Sequence, residues 1–281
     1  MPRWVGRGRL LADDDRPRVM GILNVTPDSF SDGGRWAAID DALKHAENMV
    51  AEGADLIDLG GESSRPGAEP VSEDEEIRRV LPVLEALRDR VSVPISVDTA
   101  KPEVARRAIA SGAAVINDIG GLRDPKMVRV VAESDAALVV MHMAGTPETM
   151  QIDPRYDDVV AEVRDALARS VEVAEAAGIG RERIAVDPGI GFGKTNRHNL
   201  DLLRNLPAFA TLGCTLFVGL SRKGFLGEIT GRPRDQRVSA SVVGSLASAV
   251  QGARVLRVHD VGPMVDAVKV WNAVMNWNPL S

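Results

Sequence analysis

The stretch that decides the fold runs from Ala137 to Gly189. It opens with ALVVMHM (137–143), passes through RYDDVVAEVRDALARSVEVAEAAG (155–178) and closes with RIAVDPG (183–189). The two flanking runs are short and almost continuously apolar, as parallel strands are when both faces are buried. The middle segment repeats apolar residues at three- and four-residue spacing and stops at Gly178, which suits a helix ended by a left-handed glycine. Together they read as one βαβ unit.

The same alternation continues outward in both directions. Further strand candidates are VMGILNV (19–25), LIDLG (56–60), PISVDT (94–99), AVINDI (114–119), TLFVGLS (215–221) and VLRVHDV (255–261), making eight in all. The helical segments between them end at Gly53, Gly112 and Gly252. The repeat averages about 33 residues, the length of a βα unit. Eight units in series with no linker predict a single (β/α)8 TIM barrel over residues 18–281, with the active site on its C-terminal rim. A doubly wound open sheet would carry a Gly-rich fingerprint after its first strand, where this chain has NVTPDSF. Residues 1–17 hold arginines but no apolar signal region and are expected to form a loosely ordered arm.

Composition narrows the function. The chain has 281 residues, 44% apolar and 26% charged, which excludes a disordered, collagen-like or disulfide-scaffold protein. A net charge of −6 argues against a nucleic-acid partner. Cys214 is the only cysteine, so no internal disulfide can form; it reads as a small buried hydrophobe in a reducing, cytoplasmic setting. No run approaches the ~18 apolar residues of a membrane span.

Each strand candidate ends in polar side chains: Asn24, Asp58 with Glu62, Asp98, Asn117, His142, Asp187, Ser221-Arg222-Lys223, and Arg257-His259-Asp260. One Asp after a strand commonly caps the next helix. Eight strands out of eight point to a site. Asp98, Asn117 and Asp187 suit the donor–acceptor edge of a heterocycle, and a carboxylate at 187 can take two parallel N–H bonds. Arg65, Arg222, Lys223, Arg257 and His259 suit an oxyanion or phosphate, and Arg also stacks on flat rings. The expected substrate is a planar polar ring with an anionic tail. Two Gly/Ser/Asp-rich loops, NVTPDSFSDGG (24–34) and GGESSRPGA (60–68), read as mobile flaps, with Ser63, Ser64 and Arg65 as phosphate-type donors. Asn24 offers a neutral oxygen to Mg2+, which commonly takes one or two protein oxygens. DPGIGFGKT (187–195) imitates a phosphate-binding loop, but Pro188 stands where the first glycine is required, and Phe192 reads as an apolar wall. The four histidines show no zinc spacing, and His45 and His198 are read as structural or surface residues.

Taken in order, NVTPDSFSDGG, DLGGESSRPGA, SVDT, INDI, MHMAGTPETMQ, VDPGIGFGKT, GLSRKGF and RVHDV resemble the dihydropteroate synthase family of the folate pathway, a sulfonamide target, over roughly residues 18–275. The resemblance implies condensation of 6-hydroxymethyl-7,8-dihydropterin pyrophosphate with p-aminobenzoate through an SN1-like, Mg-assisted loss of pyrophosphate. It implies that Asp98, Asn117, Asp187 and Lys223 bind the pterin and that Arg257 and His259 hold the pyrophosphate. It also implies that Asn24 binds Mg2+, the one cofactor expected. Phe30, Ser63, Ser64, Arg65 and Pro66 would enclose p-aminobenzoate, with Ser221 and Arg222 nearby. Met141 and Phe192 join the substrate-binding set. Asp32 is expected to tie the first flap to magnesium or to Arg65. The family is usually homodimeric, and VDAVKVWNAVMNW (265–277) offers an apolar face for such contact. Ser64 and Ala144 depart from the commoner family residues without removing a group that the chemistry needs. A pterin-dependent methyltransferase would share the barrel and the ring-edge carboxylates, but would give no use to the SRK and RVHDV cations.

Overall fold

The computed structural model describes residues 3–25, 34–65 and 67–275. Phe30, Asp32 and Pro66 therefore lie outside the described residues.

Eight parallel strands form the barrel: β3 (Arg18–Asn24), β4 (Leu56–Gly60), β5 (Ile95–Asp98), β6 (Val115–Asp118), β7 (Ala137–Met141), β8 (Ile184–Asp187), β9 (Thr215–Val218) and β10 (Val255–Val258). Each pairs with its sequence neighbour, and β10 closes on β3. The outer ring is α1 (Gly34–Ala51), α2 (Glu73–Arg88), α3 (Pro102–Ser111), α4 (Pro125–Ala132), α5 (Val159–Ala176), α6 (Asn196–Arg204), α7 (Gly224–Thr230), α8 (Val238–Val250) and α9 (Val261–Met275). This is a TIM barrel, with α7 as one helix beyond the regular repeat. Nearly every strand residue is buried, because helices cover the outside and side chains fill the inside. The four expected helix-ending glycines, Gly53, Gly112, Gly178 and Gly252, all have φ between 94 and 116°. No helix among the described residues is long and apolar enough to cross a membrane. Cys214 is buried, which pushes its thiol up to about 12.

The N-terminal segment corrects the expectation of a loose arm. β1 (Trp4–Gly6) and β2 (Arg9–Ala12) form an antiparallel hairpin, turned at Arg7 and Gly8, both with positive φ. Trp4 is 0% exposed and packs with Leu11, Ala12, Met20, Ala137 and Phe217 inside the barrel. Its indole N–H donates to Arg183 O at 3.1 Å. Gly6 lies so close to Ala114 and Ala137 that a Cβ would meet them at 2.8 Å. The hairpin therefore stoppers the end of the barrel opposite the polar rim.

Candidate active site

Register brings the polar residues together. Asn24 lies beside Gly60, Gly60 beside Asp98, and Asp98 beside Asn117, each at the C-terminal end of its strand. Met141 pairs with Asp187 in the same way.

At the centre, Arg257 donates through Nη2 to Asp98 Oδ2 at 2.7 Å and through Nε to Asp58 Oδ2 at 2.5 Å. Asn117 Nδ2 donates to the same Asp58 oxygen at 3.1 Å. Asp58, 0% exposed, thus positions one residue of the expected ring edge and one of the anion side, and its Oδ1 has no hydrogen-bond partner. The sequence placed Asp58 at the rim without a role, since only the fold shows what it holds. Burial raises the Asp98 carboxyl to about 7; Arg257 opposes the shift, while Asp58, Glu76 and Asp118 add to it. Burial also works against the Arg257 charge, but Asp58 and Asp98 outweigh it and raise that group.

On the far side, Asp187 is buried and accepts the Gly189 N–H at 2.7 Å. Its carboxyl is raised by burial, against the pull of Lys223, the Gly189 N–H, Lys194 and Arg257. Lys223 donates to Ile190 O and sits 4.1 Å from the centre of the Phe192 ring. Burial lowers its ammonium to about 7. Met141, Met143 and Met150 form an apolar cluster against Ile119 and Phe192, a wall suited to a flat ring.

His259 approaches Ser221 Oγ through Nδ1 at 3.0 Å, while its backbone N–H donates to the same oxygen at 3.2 Å. Burial, then Arg257, Arg222 and Arg234, lower the imidazole to about 3, so it is neutral near pH 7. With Ser221 donating to Nδ1, the ring proton lies on Nε2 as a donor for an anion. Arg222 has a partner within the protein. Its guanidinium makes a two-point pair with Asp260, and its backbone carries a positive φ of 58° secured by Ser241 Oγ at 2.9 Å.

The second flap is held at its base. Glu62 accepts the Val71 N–H at 2.7 Å, and Lys101 bridges Glu62 and buried Glu76 at 2.8 and 2.5 Å. Arg79 donates to Gly61 O at 3.0 Å. Ser63 and Ser64 are half-buried, and Arg65 is exposed. Among the described residues, no group of three or more His, Cys, Asp or Glu could hold a metal ion. His198 caps α6 through Thr195, a structural role, as expected.

A closed parallel barrel that gathers carboxylates, an amide and cations at the C-terminal ends of its strands has the arrangement of a barrel enzyme. A family model described as pterin binding enzyme matches residues 20–259. Dihydropteroate synthase of Escherichia coli K12 is 47% identical over 264 residues, covering 94% of each chain. The structure of Xanthomonas albilineans dihydropteroate synthase with 4-aminobenzoic acid superposes with a TM-score of 0.92 at 50% identity, covering 99% of both chains. That of Burkholderia cenocepacia dihydropteroate synthase complexed with 7,8-dihydropteroate gives 0.88 at 47% identity, covering 98% of this chain and 96% of that one. The chain belongs to the dihydropteroate synthase family of transferases.

Proposed function

We propose that this chain condenses 6-hydroxymethyl-7,8-dihydropterin pyrophosphate with p-aminobenzoate, giving dihydropteroate and pyrophosphate. The observation that carries the reading is Arg257 bound to Asp98, with Asp187 and Lys223 within electrostatic reach of the same guanidinium. Ring-edge acceptors and anion donors thus form one cavity lining. Related structures were solved with 4-aminobenzoic acid and with 7,8-dihydropteroate, the second of which contains both the pterin and the p-aminobenzoate part, and this supports the reading.

In this reading Asn117 and Asp187 take the pterin's amino and ring N–H groups, and Met141 and Phe192 flank its face. Arg257 has five N–H donors, two of them used on Asp58 and Asp98, which leaves others for the pyrophosphate. His259 Nε2–H adds a neutral donor. The C–O bond to pyrophosphate breaks first, its electron pair leaves with the diphosphate, and the ring spreads the resulting positive charge. Asp98 and Asp187 stabilise that charge, and fixed donors around the departing oxygens contribute several kcal/mol. The aniline nitrogen then bonds to the methylene and sheds a proton. Ser63, Ser64 and Arg65 would take the p-aminobenzoate side.

Magnesium fits the rim through Asn24. Gly60 leaves space there, since a Cβ on it would lie 3.5 Å from Asn24 Oδ1 and 4.0 Å from Asp98 Oδ2. An amide oxygen, substrate phosphate oxygens and water make a normal Mg2+ shell, and the ion would supply positive charge against the leaving pyrophosphate. We also place the reaction in the cytoplasm and infer a homodimer formed through α8 and α9, where Val243, Val250, Val270 and Val274 are 64–70% exposed.

Incubation with both substrates and Mg2+ tests the reading. Dihydropteroate and pyrophosphate should appear in equal amounts. Pterin binding with no pyrophosphate release would make the protein a pterin binder without turnover and overturn the assignment.

A further inference from the structure

Lys194 lies outside every role assigned so far, although it is 3% exposed and close to the ring-edge carboxylate. The loop from Pro188 to Thr195 curls back on itself through Gly189, Gly191 and Gly193, all with positive φ, and carries the ammonium beneath it. Three acceptors meet its three protons: Phe192 O at 2.8 Å, His142 Nδ1 at 3.1 Å and His142 O at 3.3 Å. Among the described residues, none of its bonds is to a carboxylate. An ammonium satisfied only by dipoles has no bonded counter-charge, and the carboxylate that acts on it is Asp187. The two are also linked through the backbone, because the His142 N–H donates to Asp187 O at 2.9 Å.

The geometry assigns Lys194 as a positioning residue for the pterin edge, which this inference takes from the reading above: it sets a positive charge beside Asp187 and pins to His142 the loop whose Gly189 N–H the Asp187 carboxylate accepts. Lys223, the other ammonium near Asp187, is bonded to Ile190 O and lies over Phe192 on the substrate side. Lys194, by contrast, is 3% exposed and bonded only to its own loop and to His142.

The charged groups facing this pair come from several elements. Lys223 and Arg257 face Asp187, while Asp187 and Lys223 face Lys194. Arg123 and Arg169 act on His142, and Tyr156 and His198 stack beyond it. Burial lowers Lys194 to about 7, so it carries its charge below that pH, while burial raises Asp187 and the Lys194 charge works against that rise. Without that charge Asp187 would take up its proton at higher pH and cease to accept two N–H bonds.

The test compares wild type, Lys194→Met and Lys194→Gln, the last keeping hydrogen bonds but no charge. Calorimetry with pteroic acid across pH 5 to 8 should show affinity reduced about tenfold in both variants, with the acid limb about one unit higher, the equivalent of a tenfold change. KM for p-aminobenzoate should be unchanged. A Lys194→Gln protein with wild-type affinity and an unmoved acid limb would overturn the charge role. If neither variant folds, lysine Nζ NMR of the wild type decides: a protonated Lys194 at pH 6 supports the assignment and a neutral amine overturns it. Should the wild type bind no pterin, the functional reading has failed. The Lys194 assignment is then judged on the Asp187 carboxyl titration, which must still move upward in Lys194→Gln.

Discussion

At Asp187 the carboxylate already accepts its own loop's N–H, so an amide there meets a donor from the protein as well as donors from the ligand. Asp187→Asn is expected to weaken pterin binding about a hundredfold by calorimetry, since hydrogen bonds to a charged acceptor are worth about 1.5–3 kcal/mol each. Arg257→Ala should cut turnover about a hundredfold or more in steady-state assays. It should also cost about 3 kcal/mol in urea unfolding, because Asp58 then loses its cation in a fully buried place. His142 gives a pH test. Burial and then Lys194 hold it at about 3, below its ordinary 6.5, so the folded state refuses a proton that the unfolded chain accepts. That contribution is intact above pH 6.5 and is lost as pH falls toward 3. His142→Gln, whose carbonyl can still accept from Lys194, should therefore lose about 2 kcal/mol less stability than wild type between pH 7 and pH 5. Asp98, Asn117, Asp187, Lys223, Arg257 and His259 were legible in sequence because each follows an apolar strand that gives it no other reason to be there. Asp58 and His142 were read at the rim without a role, and Lys194 had none, because what they do depends on partners in other strands and loops. A lysine in a glycine-rich turn reads as a phosphate loop or as nothing.

Among the elements, the eight strands could be read almost to their ends because burial on both faces leaves continuous apolar runs, and their helices because glycines mark where they stop. The β1–β2 hairpin had no such signal. Strands of three and four residues are too short to show a period of two, and Trp4 buries itself against residues more than a hundred positions away. Its contribution can be measured: Trp4→Ala should cost about 3–5 kcal/mol in chemical denaturation. Turnover of the remaining folded protein should stay near wild type, since the hairpin fills the opposite end of the barrel. A variant that lost activity without losing stability would contradict that separation. The second flap, read from its Gly- and Ser-rich sequence as mobile, is held at its base, where Arg79 bonds Gly61 O, Lys101 pairs with Glu62 and Glu62 accepts the Val71 N–H.

For the molecule as a whole, the valines on α8 and α9 form the outward apolar surface that the helical repeat leaves unused. Val243→Asp with Val270→Asp should convert a dimer to a monomer in light scattering, while unchanged mass would refute the interface. The net charge of −6 did not reveal the anion pocket, because a few buried cations set the local field against the sign of the total. The hairpin stopper also carries a lesson about the order of synthesis. The ribosome makes Trp4 early, yet the carbonyl that receives its indole belongs to Arg183, 179 positions later. For most of translation this tryptophan has no seat, and it must stay uncommitted until β8 emerges.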